Sequence, residues 1–181
     1  KMTIPSPSVL HFRGGRKAVN DKIYPTMDEF YRDLGNAYRK HYFAQQDTIV
    51  LFDGVLPMLH ALRSRQHRLA VATGKSRRGL DEALHTVQLR GLFDASRTAD
   101  ETASKPHPLM LQELMEELGV APERTLMIGD TTHDLALAAN AGCASVGVSY
   151  GAHAHETFAE HSPLFVAHRV SELHAWLQEH A

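Results

Sequence analysis

The sequence predicts an α/β fold: a three-layer, Rossmann-like parallel sheet with helices on both faces. Three observations carry this prediction. From about residue 50 onward, short apolar runs alternate with segments whose apolar residues return at helical spacing. The runs are nearly continuous rather than alternating, as expected for strands covered on both faces. Residues suited to chemistry, Thr73 and Asp130, stand at the carboxyl ends of two of these runs. Right-handed crossovers bring such ends to one edge of a parallel sheet, where ligands bind.

The elements follow in order. Residues 1 to 50 are polar and helix-leaning, with no convincing buried strand. Their best segment runs from about Met27 to Phe43, where Phe30, Tyr31, Tyr38, Tyr42 and Phe43 recur at mixed helical spacings. Val55, Leu59 and Leu62 mark a helix face, Pro57 fits its first turn, and Asp53 is the expected N-cap. Arg68 to Thr73 reads as a strand, Ser76 to Val87 as a helix, and Phe93 to Ala99 as an edge strand or turn. Leu111, Leu114, Met115 and Leu118 mark a third helix, stopped by Gly119. Thr125 to Ile128 is a strand, Leu135 to Ala141 a short helix ended by Gly142, and Ala144 to Ser149 another buried strand. Leu164 to Ala167 is the last strand, and Ser171 to Gln178 a closing helix.

Composition excludes several classes. The 181 residues are 43% apolar and 22% charged, as in one ordinary soluble domain with room for a small appendage. A net charge of −2 gives no electrostatic case for nucleic acid or an anionic membrane. The single cysteine, Cys143, cannot form an internal disulfide and fits a reducing, cytoplasmic setting. No apolar run approaches the roughly 20 residues of a membrane span, and the first ten residues do not read as a secretory signal. The 13 histidines are scattered, and His153 and His155 read as part of a solvated loop.

The run from Leu126 to Asp134 carries the strongest chemical signal. It is an apolar strand, a glycine, then Asp130 and Asp134. Carboxylates at the end of a buried strand are costly unless a cation pairs with them. A magnesium ion fits, since it takes one or two protein carboxylates and fills its other positions with water and phosphate oxygens. Asp134 also has a structural reading, as a cap for the helix beginning near Thr132. Thr73-Gly74, before a helix, offers a hydroxyl and backbone N–H groups to a phosphate. Lys105, before Pro106, offers a point charge for a phosphoryl oxygen or a carboxylate.

In this order and spacing the motifs resemble those of the haloacid dehalogenase-like phosphatases, most closely the phosphoglycolate-phosphatase-like branch with a helical cap. They are Ala72-Thr73-Gly74, Lys105-Pro106, Gly129 to Asp134, and the glycine-containing stretch Ala141 to Gly151. The segment Leu51 to Val55 resembles the return from cap to core. The resemblance implies a partial helical cap over residues 1–50 and a core over 51–181. It implies a magnesium-dependent hydrolase acting through an aspartyl-phosphate on a small phosphorylated metabolite such as phosphoglycolate. In that scheme Asp130 ligates the metal, and Asp134 supports it or its waters and pairs with Lys105. Thr73 and Gly74 hold phosphate oxygens, and Lys105 offsets their charge.

One motif departs from the family. Its first, Asp-x-Asp-Gly-Thr, supplies the nucleophile, and no Asp-x-Asp occurs in this sequence. Phe52-Asp53-Gly54 is a decoy, because Val55 stands where the second acid is needed two residues after Asp53. The implied core therefore lacks its first strand, which belongs mid-sheet between the strands ending at Thr73 and Asp130. The expectation is that this strand lies upstream of Lys1, and that without it the chain is inactive. The alternative is a catalytically silent relative that binds phosphate or a protein partner.

Overall fold

The computed structural model describes residues 11–13, 16–19, 22–24, 29, 32–33, 50–151 and 155–181. The chain divides into two compact units, Lys1–Thr48 and Ile49–Ala181.

The first unit contains an antiparallel meander of β1 (His11–Arg13), β2 (Arg16–Val19) and β3 (Lys22–Tyr24). Its register pairs Phe12 with Lys17 and Ala18 with Ile23. The helix-leaning sequence, with no convincing buried strand, does not lead one to expect this meander. Its signal is the spacing: Gly14-Gly15 and Asn20-Asp21 each separate two short runs by two residues, which is hairpin spacing. The aromatic helix expected from Met27 to Phe43 lies largely outside the described residues, with only 29, 32 and 33 described there as helical.

The second unit is the predicted α/β fold. In order it holds α1 (Val55–Ser64), β4 (Ala70–Thr73), α2 (Arg77–Thr86), β5 (Ala95–Thr98), α3 (Leu109–Leu118), β6 (Leu126–Gly129), α4 (Thr132–Ala141), β7 (Ala144–Val148), β8 (Phe165–Ala167) and α5 (Val170–His180). Local chemistry explains most of the ends. The Ser76 side chain accepts the Gly79 N–H and starts α2. Gly119 (φ 63°) and Gly142 (φ 76°) stop α3 and α4 in left-handed conformations, as the sequence predicts. Asp53 is a correction: the N-cap of α1 is Gly54 (φ 86°), with no side-chain cap bond. The left-handed glycine turns the chain into the helix, and Asp53 stays exposed.

The strands form two separate parallel sheets, not one. β4 pairs with β5, and β6 pairs with β7, which pairs with β8. Helices on both faces hold the two halves together. On one face, Ala95 of β5 and Met127 of β6 share a buried cluster with Met110, Leu111 and Leu114 of α3 and Leu137, Ala138 and Ala141 of α4. On the other, Leu69, Leu126, Ile128 and Val146 pack with Met58 and Leu62 of α1 and Leu173 and Leu177 of α5. Met127 thus faces one layer while its neighbours Leu126 and Ile128 face the other, as strand alternation requires.

Hydrogen bonding shows which edges are open. The Leu69 carbonyl accepts the Asp94 N–H, so residues 69, 71 and 73 point toward β5. Ala70 and Ala72 then point the other way. On β7, the Ser145 carbonyl and the Ser149 N–H bond toward the β8 side, so Val146 turns to β6, opposite Ile128. The same alternation leaves Leu126 and Ile128 pointing away from β7. Among the described residues these two inner edges have no strand partner.

Candidate active site

The carboxyl ends of β4 and β6 open into a cavity of about 580 Å³. Its walls include Thr73 and Gly74, Ser104 and Lys105, Asp130, His133 and Asp134. All five residues singled out from the sequence are therefore brought together.

Lys105 spans the gap between the half-sheets. Its Nζ donates to the Ala72 carbonyl of β4 at 2.9 Å and to Asp134 Oδ1, at the start of α4, at 2.5 Å. Both side chains are nearly buried, at 16% and 6% exposed, so neither charge has much water to fall back on. The other Asp134 oxygen, Oδ2, accepts the Thr131 N–H and the Thr131 hydroxyl, while Thr131 accepts the Asp134 N–H in return. This is a reciprocal capping box. Asp134 thus has the structural role the sequence allowed and the lysine pairing the resemblance implied. Gly129 is what lets it sit so close: a Cβ at 129 would lie 2.7 Å from Asp134 Cγ.

Asp130 is set differently. It follows β6 directly, precedes the N-cap Thr131, and is half-buried in the cavity wall. Thr73 accepts the Lys75 N–H at 3.2 Å, which leaves the threonine's own O–H to donate elsewhere. Burial lowers the Lys75 ammonium pKa.

The loop carrying Lys105 is tied to α2. Arg77 donates to Glu101 through Nε and Nη2, and the Arg77 N–H donates to Asp100. The fully buried Thr98 gives Glu101 a further N–H. Hydrogen bonds from Arg77, then Thr98, hold the Glu101 carboxyl at about 2.

Sequence reasoning missed His133, Ser104 and an aromatic pair at the cavity. Phe52 and Tyr150 meet edge to face, with ring centroids 5.2 Å apart, and both line the wall. Burial raises the Tyr150 phenol. His133 lies inside the acidic motif and could have been found there. Phe52 and Tyr150 are 98 positions apart and carry no local signal. His153 lies outside the described residues, as does the side chain of His155. Among the described residues no group of three or more His, Cys, Asp or Glu side chains gathers as a complete metal site. None of their helices is long and apolar enough to cross a membrane.

Comparison with known proteins gives the arrangement a context. Residues 13–148 match the family model described as haloacid dehalogenase-like hydrolase. A protein of Dickeya dadantii described as "Probable phosphatase IndB" is 36% identical over 143 residues, covering 78% of this chain and 62% of the relative. The pyrophosphatase PpaX of Bacillus pumilus is 30% identical over 170 residues, covering 91% and 76%. Among solved structures, a predicted phosphoglycolate phosphatase from Haemophilus somnus superposes with a TM-score of 0.71 at 27% identity, covering 84% of this chain and 68% of that one. This chain spans 62% of the length of the first of these relatives and 76% of the second.

Proposed function

This chain belongs to the haloacid dehalogenase-like hydrolase family, and from that membership we propose that it is the larger part of a magnesium-dependent phosphatase whose attacking carboxylate arrives on a strand inserted between β4 and β6. The observation that carries this reading is the divided sheet. Its two inner edges, without a strand partner among the described residues, lead to a cavity in which Thr73, Lys105 and Asp130 converge.

The donor set fits a hard divalent cation in part. Asp130 supplies a carboxylate in the cavity wall, and magnesium accepts one or two such ligands beside water and phosphate oxygens. Bound there, the cation would let a carboxylate and a phosphoryl group, both anionic, approach each other. Asp134 acts one step back. Its two oxygens are engaged by Lys105 and Thr131, so it supports the site by holding the lysine. Thr73 O–H and Gly74 N–H donate to phosphoryl oxygens, and Lys105 offsets the charge on the transferring group. Asp53 stays exposed in the turn before α1 and takes no part.

The substrate is a small phosphorylated metabolite, with phosphoglycolate the first candidate, acted on in the cytoplasm. One relative is named a pyrophosphatase, so a substrate panel is required. The reading is tested by assaying the chain alone, and the chain with a synthetic apolar peptide ending in Asp-x-Asp, each with and without magnesium. We expect no turnover alone and magnesium-dependent turnover with the peptide, abolished by Asp130→Ala. Turnover without magnesium overturns the metal role. Phosphate binding with no turnover under any condition favours the silent, phosphate-binding alternative, for which the missing Asp-x-Asp is the specific support.

A further inference from the structure

Gly151, in the loop after β7, lies against Asp130. β6 and β7 are neighbours in register, Gly129 opposite Gly147, so the loop after one strand passes beside the residue that follows the other. A Cβ at position 151 would sit 2.6 Å from Asp130 Cγ and nearer still to its Cβ and Oδ2. Non-bonded carbons rest about 3.5–4.0 Å apart, so no side chain fits while Asp130 keeps its place. The requirement is for space and not for backbone freedom. Gly151 lies outside the left-handed region that Gly54, Gly91, Gly119 and Gly142 occupy.

Packing against position 151 is thus one of the contacts that fix Asp130. Asp134 is fixed by hydrogen bonds from Lys105 and Thr131. Asp130 stands between the strand and the helix cap, and a backbone surface with no side chain forms one wall of its site. We propose that Gly151 is a positioning residue for Asp130: it fixes the direction in which the carboxylate enters the cavity, and through it the affinity for a divalent cation. The second half of this proposal rests on the metal reading given above; the first does not.

The test is a double-mutant cycle with two readouts. Melting temperatures without metal are measured for wild type, Gly151→Ala, Asp130→Gly and the double variant. Gly151→Ala should lower the melting temperature when Asp130 is present and leave it nearly unchanged when residue 130 is glycine, which removes the Cβ that an added Cβ at 151 would meet first. Equal losses in both backgrounds overturn the contact, since a purely structural glycine would not depend on Asp130. Manganese binding, followed by electron paramagnetic resonance, should weaken roughly 10- to 100-fold in Gly151→Ala, the range seen when residues that orient a ligand are removed. A coupled melting cycle with unchanged manganese affinity overturns the effect on the cation. Absence of manganese binding by wild type overturns the metal reading itself, while the melting cycle still decides the role of Gly151.

Discussion

The two edges of the β4–β5 ribbon are treated in opposite ways. The outer edge, on β5, is closed by arginines: Arg77 and Arg97 both donate to the Ser96 carbonyl, and Arg77 also binds the Ser96 hydroxyl. Arg97 is in turn held by Glu113 and Glu117 of α3. Charged side chains on an edge are how sheets discourage further pairing. The inner edge, on β4, is met among the described residues by Lys105 at the Ala72 carbonyl, and it faces an edge of β6 that has no strand partner among them either. The contrast is what the proposed reading requires: an outer edge that ends the sheet, and an inner edge left open as a join for a further strand.

The largest effect should come from filling that join, which takes turnover from none to a measurable rate. If a peptide instead pairs at β5, the comparison is broken. The next largest comes from Lys105→Met, which leaves the Asp134 carboxylate buried without its cation. Loss of one partner of a buried pair costs about 3–5 kcal/mol, readable as a lower urea midpoint at constant slope. A loss near zero would mean that the bridge across the join carries no weight. Thr131→Ala removes the N-cap of α4 and one anchor of Asp134, with an expected loss of about 1 kcal/mol in the same titration. The smallest effect belongs to the outer edge. Glu101 titrates at about 2 instead of its ordinary 4.5, so its contribution is complete above pH 4.5 and vanishes as pH falls toward 2. Arg77→Ala should flatten stability across that acid window: its loss is present in full at neutral pH, fades toward pH 2, and is small throughout because Glu101 is 36% exposed and solvent screens the pair. An Arg77 variant as damaging as the Lys105 variant would erase the distinction between the edges.

Legibility in the sequence followed the range of the interactions. Strands, helices and the glycine stops at 119 and 142 were readable because they depend on local pattern and backbone conformation. Thr73 and Asp130 were readable as neighbours because topology brings strand ends together, and Lys105 because it lies in the loop before α3 at the same edge. The gap between β4 and β6 was foreseeable from a missing motif. What could not be read depends on distant neighbours. The Arg77–Glu101 clamp on the Lys105 loop joins residues from different elements, as does the seat of Asp130 against Gly151. The capping of α1 was misread for a local reason. Asp53 has the right side chain, but Gly54 beside it offers a left-handed turn that needs none. In the first 50 residues, polarity hid a meander whose two-residue spacings were the better guide.

The divided sheet also has a consequence for exchange with heavy water. Along β4 and β6, successive amides face opposite sides, so protection should alternate residue by residue. Val71 and Thr73 point into the β5 ladder, and Met127 and Gly129 into the β7 ladder; their amides should exchange slowly. Those of Ala70, Ala72, Leu126 and Ile128 point into the gap and should exchange much faster, although they lie mid-sheet between two helical layers. A deuterium-labelling experiment resolved to single amides would then read occupancy directly, with the fast set turning slow on the day something fills the space.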